Sequence, residues 1–86
     1  MTKAEFTLIN ESGLHARPAT LFEAEAQRFI SEITIEKEGE SYDAKSIIEI
    51  LCAAAACGES ITIAAEGPDE EEAIKALLAL MASFEG

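Results

Sequence analysis

The chain has a single histidine, His15, inside the octapeptide Gly13-Leu14-His15-Ala16-Arg17-Pro18-Ala19-Thr20. A neutral imidazole is a nucleophile and can carry a phosphoryl group covalently. Arg17 adds a permanent positive charge whose planar fork of donors fits phosphate oxygens. Pro18 suits the first turn of a helix, where a missing N–H costs little. If that helix begins around Ala16, His15 is its N-cap, and unpaired backbone N–H groups and the positive end of the helix dipole gather beside the ring. Such a place favours an anion. The hydroxyls of Ser12 and Thr20 are in sequence reach of the same point, and Gly13 gives the loop the freedom to turn the ring outward. A lone histidine in a small domain is more often an ordinary surface side chain. Its spacing to Arg17 and Pro18 at a helix start is what separates this one from that background.

The elements that must hold this motif are legible from periodicity. Ala4, Phe6 and Leu8 alternate with polar positions and predict a first strand that ends at a turn over Asn10 to Gly13. After the motif, Ala19, Phe22, Ala26 and Phe29 recur at helical spacing. Ile33 and Ile35 alternate with Thr34 and Glu36, and Lys37 to Glu40, with Gly39 tolerating positive φ, turns the chain into Ser41 to Asp43 as a hairpin. Ser46 precedes the apolar run Ile47, Ile48, Ile50 and Leu51, with Glu49 three residues after the serine, which is a helix-start signature; Gly58 is placed to end that helix. Ser60 to Glu66 reads as a strand with Ile61, Ile63 and Ala65 on one face. Gly67-Pro68-Asp69 opens a third helix whose first turn carries Glu70, Glu71 and Glu72 and whose core stripe is Ile74, Leu77, Leu78 and Met81. The order βαββαβα fits a four-stranded antiparallel sheet with three helices on one face, an α+β open-faced sandwich of two layers. Residues 1–86 are expected to form one domain.

Composition narrows the partners. Six Lys plus Arg against seventeen Asp plus Glu give a formal charge of −11. That charge repels phosphate backbones and anionic lipid, so neither nucleic acid nor membrane insertion is expected. No apolar run approaches the ~20 residues of a membrane span. The first residues lack the basic and apolar regions of a signal peptide, which predicts a cytoplasmic protein. Cys52 and Cys57 match neither a redox pair nor a usual zinc pair and are expected to be small buried residues, with no disulfide and no metal. Glu70 to Glu72 reads as a solvated helix start.

The octapeptide, the element order, and Lys45-Ser46-Ile47-Ile48 opening the second helix together resemble the HPr family of histidine phosphocarriers, over essentially the whole chain. The resemblance implies that His15, on Nδ1, accepts a phosphoryl group from phospho-enzyme I and passes it to an enzyme IIA-type acceptor, with no cofactor of its own. Arg17 would neutralise the moving group, and backbone amides near Ala16 and Arg17, with Ser12, would hold the phosphate. Ala16, Thr20, Ile47, Ile48 and Leu51 would form the docking patch beside the histidine. The chain would be a covalent intermediate between enzymes, a monomer, and not an enzyme with turnover of its own.

Two readings of Ser46 stay open. Capping alone explains a serine ahead of Glu49. In some family members the equivalent serine is phosphorylated by HPr kinase/phosphorylase, which implies a regulatory site and binding to a transcription regulator. A regulatory HPr-like protein, of that kind or of a nitrogen-related branch, is therefore the alternative to a sugar-transport carrier. Glu23, Glu25 and Glu49 stand where family members often carry lysine, arginine or glycine, which predicts partners with less acidic or basic docking rims.

Overall fold

The computed structural model describes residues 1–85. The elements follow the order β1 (Thr2–Thr7), α1 (Ala16–Ala26), β2 (Glu32–Lys37), β3 (Glu40–Asp43), α2 (Ile47–Ala53), β4 (Ser60–Glu66) and α3 (Glu70–Ala82). The strands form a four-stranded sheet in the order β1-β4-β2-β3, and each neighbouring pair is antiparallel. Register places Ala4 opposite Ile63, Ile63 opposite Ile35, and Ile35 opposite Tyr42. One apolar row thus crosses the sheet, because directly opposite residues share a face. Ile33, Ile35, Ile61, Ile63 and Ala65 are buried on that face under the helices. The opposite face carries Lys3 and Glu36, which form an ion pair at 3.4 Å. One helix-covered face and one charged face is the expected α+β sandwich.

Helix α1 lies against both α2 and α3, while α3 covers β1 and β4 and α2 covers β2 and β3. Phe22 and Ala26 from α1, Ile50 from α2, and Leu77 and Met81 from α3 meet the strand isoleucines in one core. Each fully buried Ile, Leu, Met or Phe stabilises by about 1.5–3 kcal/mol, so this face fixes which way each helix rolls. The two-residue hairpin turn between β2 and β3 has positive φ at Glu38 and at Gly39 (+51° and +83°), the mirror-image turn that matches strand twist.

Three expectations need correction. Helix α1 stops at Ala26, and Phe29 packs half-buried beyond it, after the Arg28 and Phe29 amides tighten onto the Glu25 and Ala26 carbonyls. Helix α2 does not run to Gly58. It ends at Ala53, with Ala54 left-handed at φ +51°. The reason lies in the next residues: Ala55 is buried and its carbonyl is taken by the Leu14 amide at 2.9 Å, so the alanine run leaves the helix to pair with the loop before His15. Cys52 and Cys57 are exposed free thiols, not buried. Only Ile50 and Ala53 of this short helix face the core, which leaves Cys52 on its outer side, and Cys57 lies on the loop that follows, its thiol 3.7 Å from the Ile9 carbonyl. Among the described residues no helix is long and apolar enough to cross a membrane.

Candidate functional site

The loop before α1 is held from below. Asn10, buried, accepts the Gly13 amide on its carbonyl at 3.1 Å and donates its side-chain amide back to the Gly13 carbonyl at 2.9 Å. Gly13 has φ +60°, and a Cβ there would meet the Ala55 carbonyl and come within 2.8 Å of Ala56 Cα. Only glycine lets these two stretches of backbone touch. Leu14 is fully buried, and Pro18 is buried three residues beyond His15. The histidine therefore stands on a short arch with both feet in the core.

His15 is the N-cap of α1, with extended backbone (φ −129°, ψ 163°) and no side-chain capping bond. Its ring is half-buried and makes no hydrogen bond or ion pair with the described residues. Ala16 follows with φ +54°, a left-handed conformation that costs a residue with a Cβ about 1–3 kcal/mol. A left-handed residue followed by a right-handed one turns successive N–H groups toward a common point, an anion-binding nest. Here the converging groups are the amides of Ala16 and Arg17, since Pro18 has none. The Arg17 side chain is exposed and no carboxylate of the described residues pairs with it. The arrangement can hold an oxyanion beside a nucleophilic ring without a metal, and among the described residues no cluster of three His, Cys, Asp or Glu side chains could hold one.

The other predicted residues fall in three places. Ser12 borders a cleft of about 320 Å³ with Ala16, Arg17, Pro18, Leu21 and the C-terminal residues Ser83, Phe84 and Glu85. Thr20 turns its hydroxyl to the Ala16 carbonyl at 3.3 Å, so it supports the first turn of α1 and its proton is taken by the backbone. Ile47, Ile48 and Leu51 are exposed on α2, Ile48 at 71%. Leu21 is also exposed and lines the cleft beside Arg17; it was hidden in sequence by the helical stripe around it. The left-handed Ala16 carries no sequence signal, because neither glycine nor asparagine marks it.

Ser46 caps α2 by accepting the Glu49 amide at 3.4 Å. Glu49 does not return the bond to Ser46; its carboxylate accepts the Asp43 amide at 2.8 Å. Half of the capping box is thus redirected to the end of β3. Gln27, just past α1, donates to the Lys45 carbonyl at 2.8 Å, which puts Ser46 beside the far end of the eleven-residue α1 from His15, roughly 17 Å along the helix rise.

Known proteins resemble the chain over nearly its whole length. A family model described as "PTS HPr component phosphorylation site" matches residues 2–83. The chain is 51% identical over 71 residues to the HPr-like protein Crh of Halalkalibacterium halodurans, covering 83% of this chain and 84% of that one. It is 41% identical over 83 residues to the phosphocarrier protein HPr of Cupriavidus necator, covering 96% and 93%. The crystal structure of HPr-C-His from Thermoanaerobacter tengcongensis superimposes with a TM-score of 0.95 at 44% identity, over 96% of this chain and 93% of that one. Sequence along nearly the full length and a shared backbone lead to the same place: the chain belongs to the HPr family of the phosphotransferase system.

Proposed function

We propose that residues 1–86 act as one phosphocarrier domain, monomeric, in which His15 receives a phosphoryl group from phospho-enzyme I and yields it to an enzyme IIA-type acceptor. The observation that carries this reading is the left-handed Ala16 directly after an unpartnered N-cap histidine, which aims the Ala16 and Arg17 amides beside the ring. The neutral ring nitrogen of His15, Nδ1 by family likeness, attacks the phosphorus of the donor's phosphohistidine. A new N–P bond forms as the donor's N–P bond breaks, and the electron pair returns to the donor ring. Arg17 and the two amides balance charge on the equatorial oxygens, with Ser12 at the edge of the same space. The reverse sequence delivers the group to the acceptor. Ala16, Thr20, Ile47, Ile48 and Leu51, joined by Leu21, offer the apolar contact that excludes water while the two proteins are docked.

Phosphoenolpyruvate with the organism's own enzyme I tests it. Wild type should gain an acid-labile, alkali-stable phosphate, and His15→Ala should gain none. Label of that kind on His15→Ala, or none on wild type, overturns the carrier reading.

A second reading, an HPr-like regulator switched at Ser46, is favoured by the similarity to a protein named Crh and by the half-buried cap position of Ser46. A phosphate there sits at a helix start, where negative charge is tolerated, and places a dianion at the edge of the α2 apolar residues. ATP-dependent, serine-linked label from an HPr kinase/phosphorylase, abolished by Ser46→Ala, together with binding of the labelled form to a transcription regulator, distinguishes it.

A further inference from the structure

Lys37 closes β2, yet its ammonium reaches across to the end of α2. Its side chain is 13% exposed, and Nζ donates to the Ala53 carbonyl at 3.0 Å and the Ala54 carbonyl at 3.2 Å. These carbonyls belong to the helix terminus, whose partial negative charge an ammonium complements. The same Nζ pairs with Glu59 Oε1 at 3.1 Å, and that oxygen also accepts the Ala56 amide at 2.7 Å. One ion pair therefore ties down residues 53, 54, 56 and 59. Between them lies Ala55, whose carbonyl accepts the Leu14 amide at 2.9 Å. Leu14 is the residue before His15. The loop is further sewn to the strand side by the Leu8 amide to the Glu59 carbonyl at 2.9 Å and the Gly58 amide to the Leu8 carbonyl at 2.7 Å.

We infer that Lys37 and Glu59 are positioning residues for His15: their ion pair fixes the 53–59 loop so that Ala55 holds Leu14, and with it the arch that aims the imidazole. Neither side chain touches the reacting atoms. Without the ammonium, α2, seven residues long, is too short to hold its last turn by its own hydrogen bonds. Without the negative charge at Glu59, the Ala56 amide keeps at most a weaker, neutral acceptor and Nζ loses its ion pair. Either loss frees Ala55 to drift, and a near-attack geometry is sensitive to displacements of about 1 Å. The catalytic part of this inference rests on the proposed role of His15; the structural part does not.

The experiment compares Lys37→Met, Lys37→Arg and Glu59→Gln with a control, Lys3→Met, which removes an ion pair on the open face of the sheet. Amide hydrogen exchange of Leu14 is read against Ile63 in central β4, and kcat and KM are measured for phosphoryl transfer from phospho-enzyme I. For Lys37→Met and Glu59→Gln the Leu14 amide should exchange about tenfold faster with Ile63 unchanged. In both, kcat should fall about tenfold at constant KM. Lys37→Arg, which can still cap the helix and pair with Glu59, should restore both readouts, and Lys3→Met should move neither. Unchanged Leu14 exchange in both variants, acceleration of Leu14 and Ile63 together, or a loss seen only in KM overturns the inference. Should Lys37→Met not fold, Glu59→Gln carries the same test alone. A wild-type protein that takes no phosphoryl group overturns the carrier reading instead, and Leu14 exchange then decides the positioning by itself.

Discussion

Gly13 and Ala55 touch backbone to backbone: a Cβ on the glycine would run into the Ala55 carbonyl oxygen that accepts the Leu14 amide. Strand-end, site loop and helix-end meet at this contact. Gly13→Ala must both strain a φ of +60° and push Ala55 away, two costs that together come to about 3 kcal/mol. That is a large share of a small domain's stability. Urea unfolding should show the midpoint lowered with m unchanged, and phosphoryl uptake by the folded fraction should slow, because the displaced carbonyl also releases Leu14. A variant as stable and as fast as wild type would contradict the contact.

Asp69 joins three parts of the chain. It is the N-cap of α3 without capping its own helix; instead its carboxylate accepts the Ile30 amide at 3.0 Å and both the amide and the hydroxyl of Ser31. The Ser31 hydroxyl holds its carboxyl below the ordinary aspartate value of 3.8; desolvation opposes it, and the Ile30 and Ser31 amides add to the lowering. A carboxyl lowered in the folded state contributes stability that is complete above its unfolded value and disappears as the pH falls through the folded value. Asp69→Asn should therefore be less stable than wild type at pH 7, and the gap should close as the pH drops below about 4. Urea midpoints at pH 7 and pH 3 measure it. Comparing the pair at each pH removes the change in self-repulsion that the whole acidic chain undergoes. A gap that is the same at both pH values would mean that the carboxylate charge contributes nothing.

The strands, the three helix starts and the face each element buries were legible because a period of two or of 3.6 is imposed by burial itself. Ile61, Ile63 and Ala65 illustrate it, and so do Ile74, Leu77 and Met81. Helix ends were less legible. Gly58 carries the residue type that ends helices, yet α2 ends at Ala53 with the left-handed Ala54 as its cap, since Lys37 from β2 caps its carbonyls and Leu14 claims Ala55. Both interactions are remote in sequence, so no local pattern announces them. At the site, the helix-start motif announced the N-cap histidine and the nearby arginine. The positive φ of Ala16 was not announced, because the strain is imposed by anchors on either side, Leu14 and Pro18, and not by the identity of the alanine. Ser46-x-x-Glu49 predicted its cap but not where Glu49 would send its carboxylate, to the Asp43 amide.

The acids beside the proposed docking face have unequal weight. Glu25 is paired with Arg28 at 3.0 Å, so its field at a distance is small. Glu23 accepts from the neutral side chain of Gln27 at 2.9 Å and Glu49 from a backbone amide, so neither carboxylate is paired with a cation. A partner matched to such a face has a basic rim, and attraction between opposite charges weakens as salt shortens the Debye length from about 30 Å at 0.01 M to about 8 Å at 0.15 M. The association rate with the organism's own enzyme I, followed by stopped flow, should fall as salt rises over that range. Glu23→Gln should flatten the dependence and Arg17→Gln should steepen it, since the one removes and the other unmasks negative charge at the same face. A rate that climbs with salt means that the two surfaces repel, in which case docking relies on Ile47, Ile48 and Leu51 and the basic-rim partner is excluded.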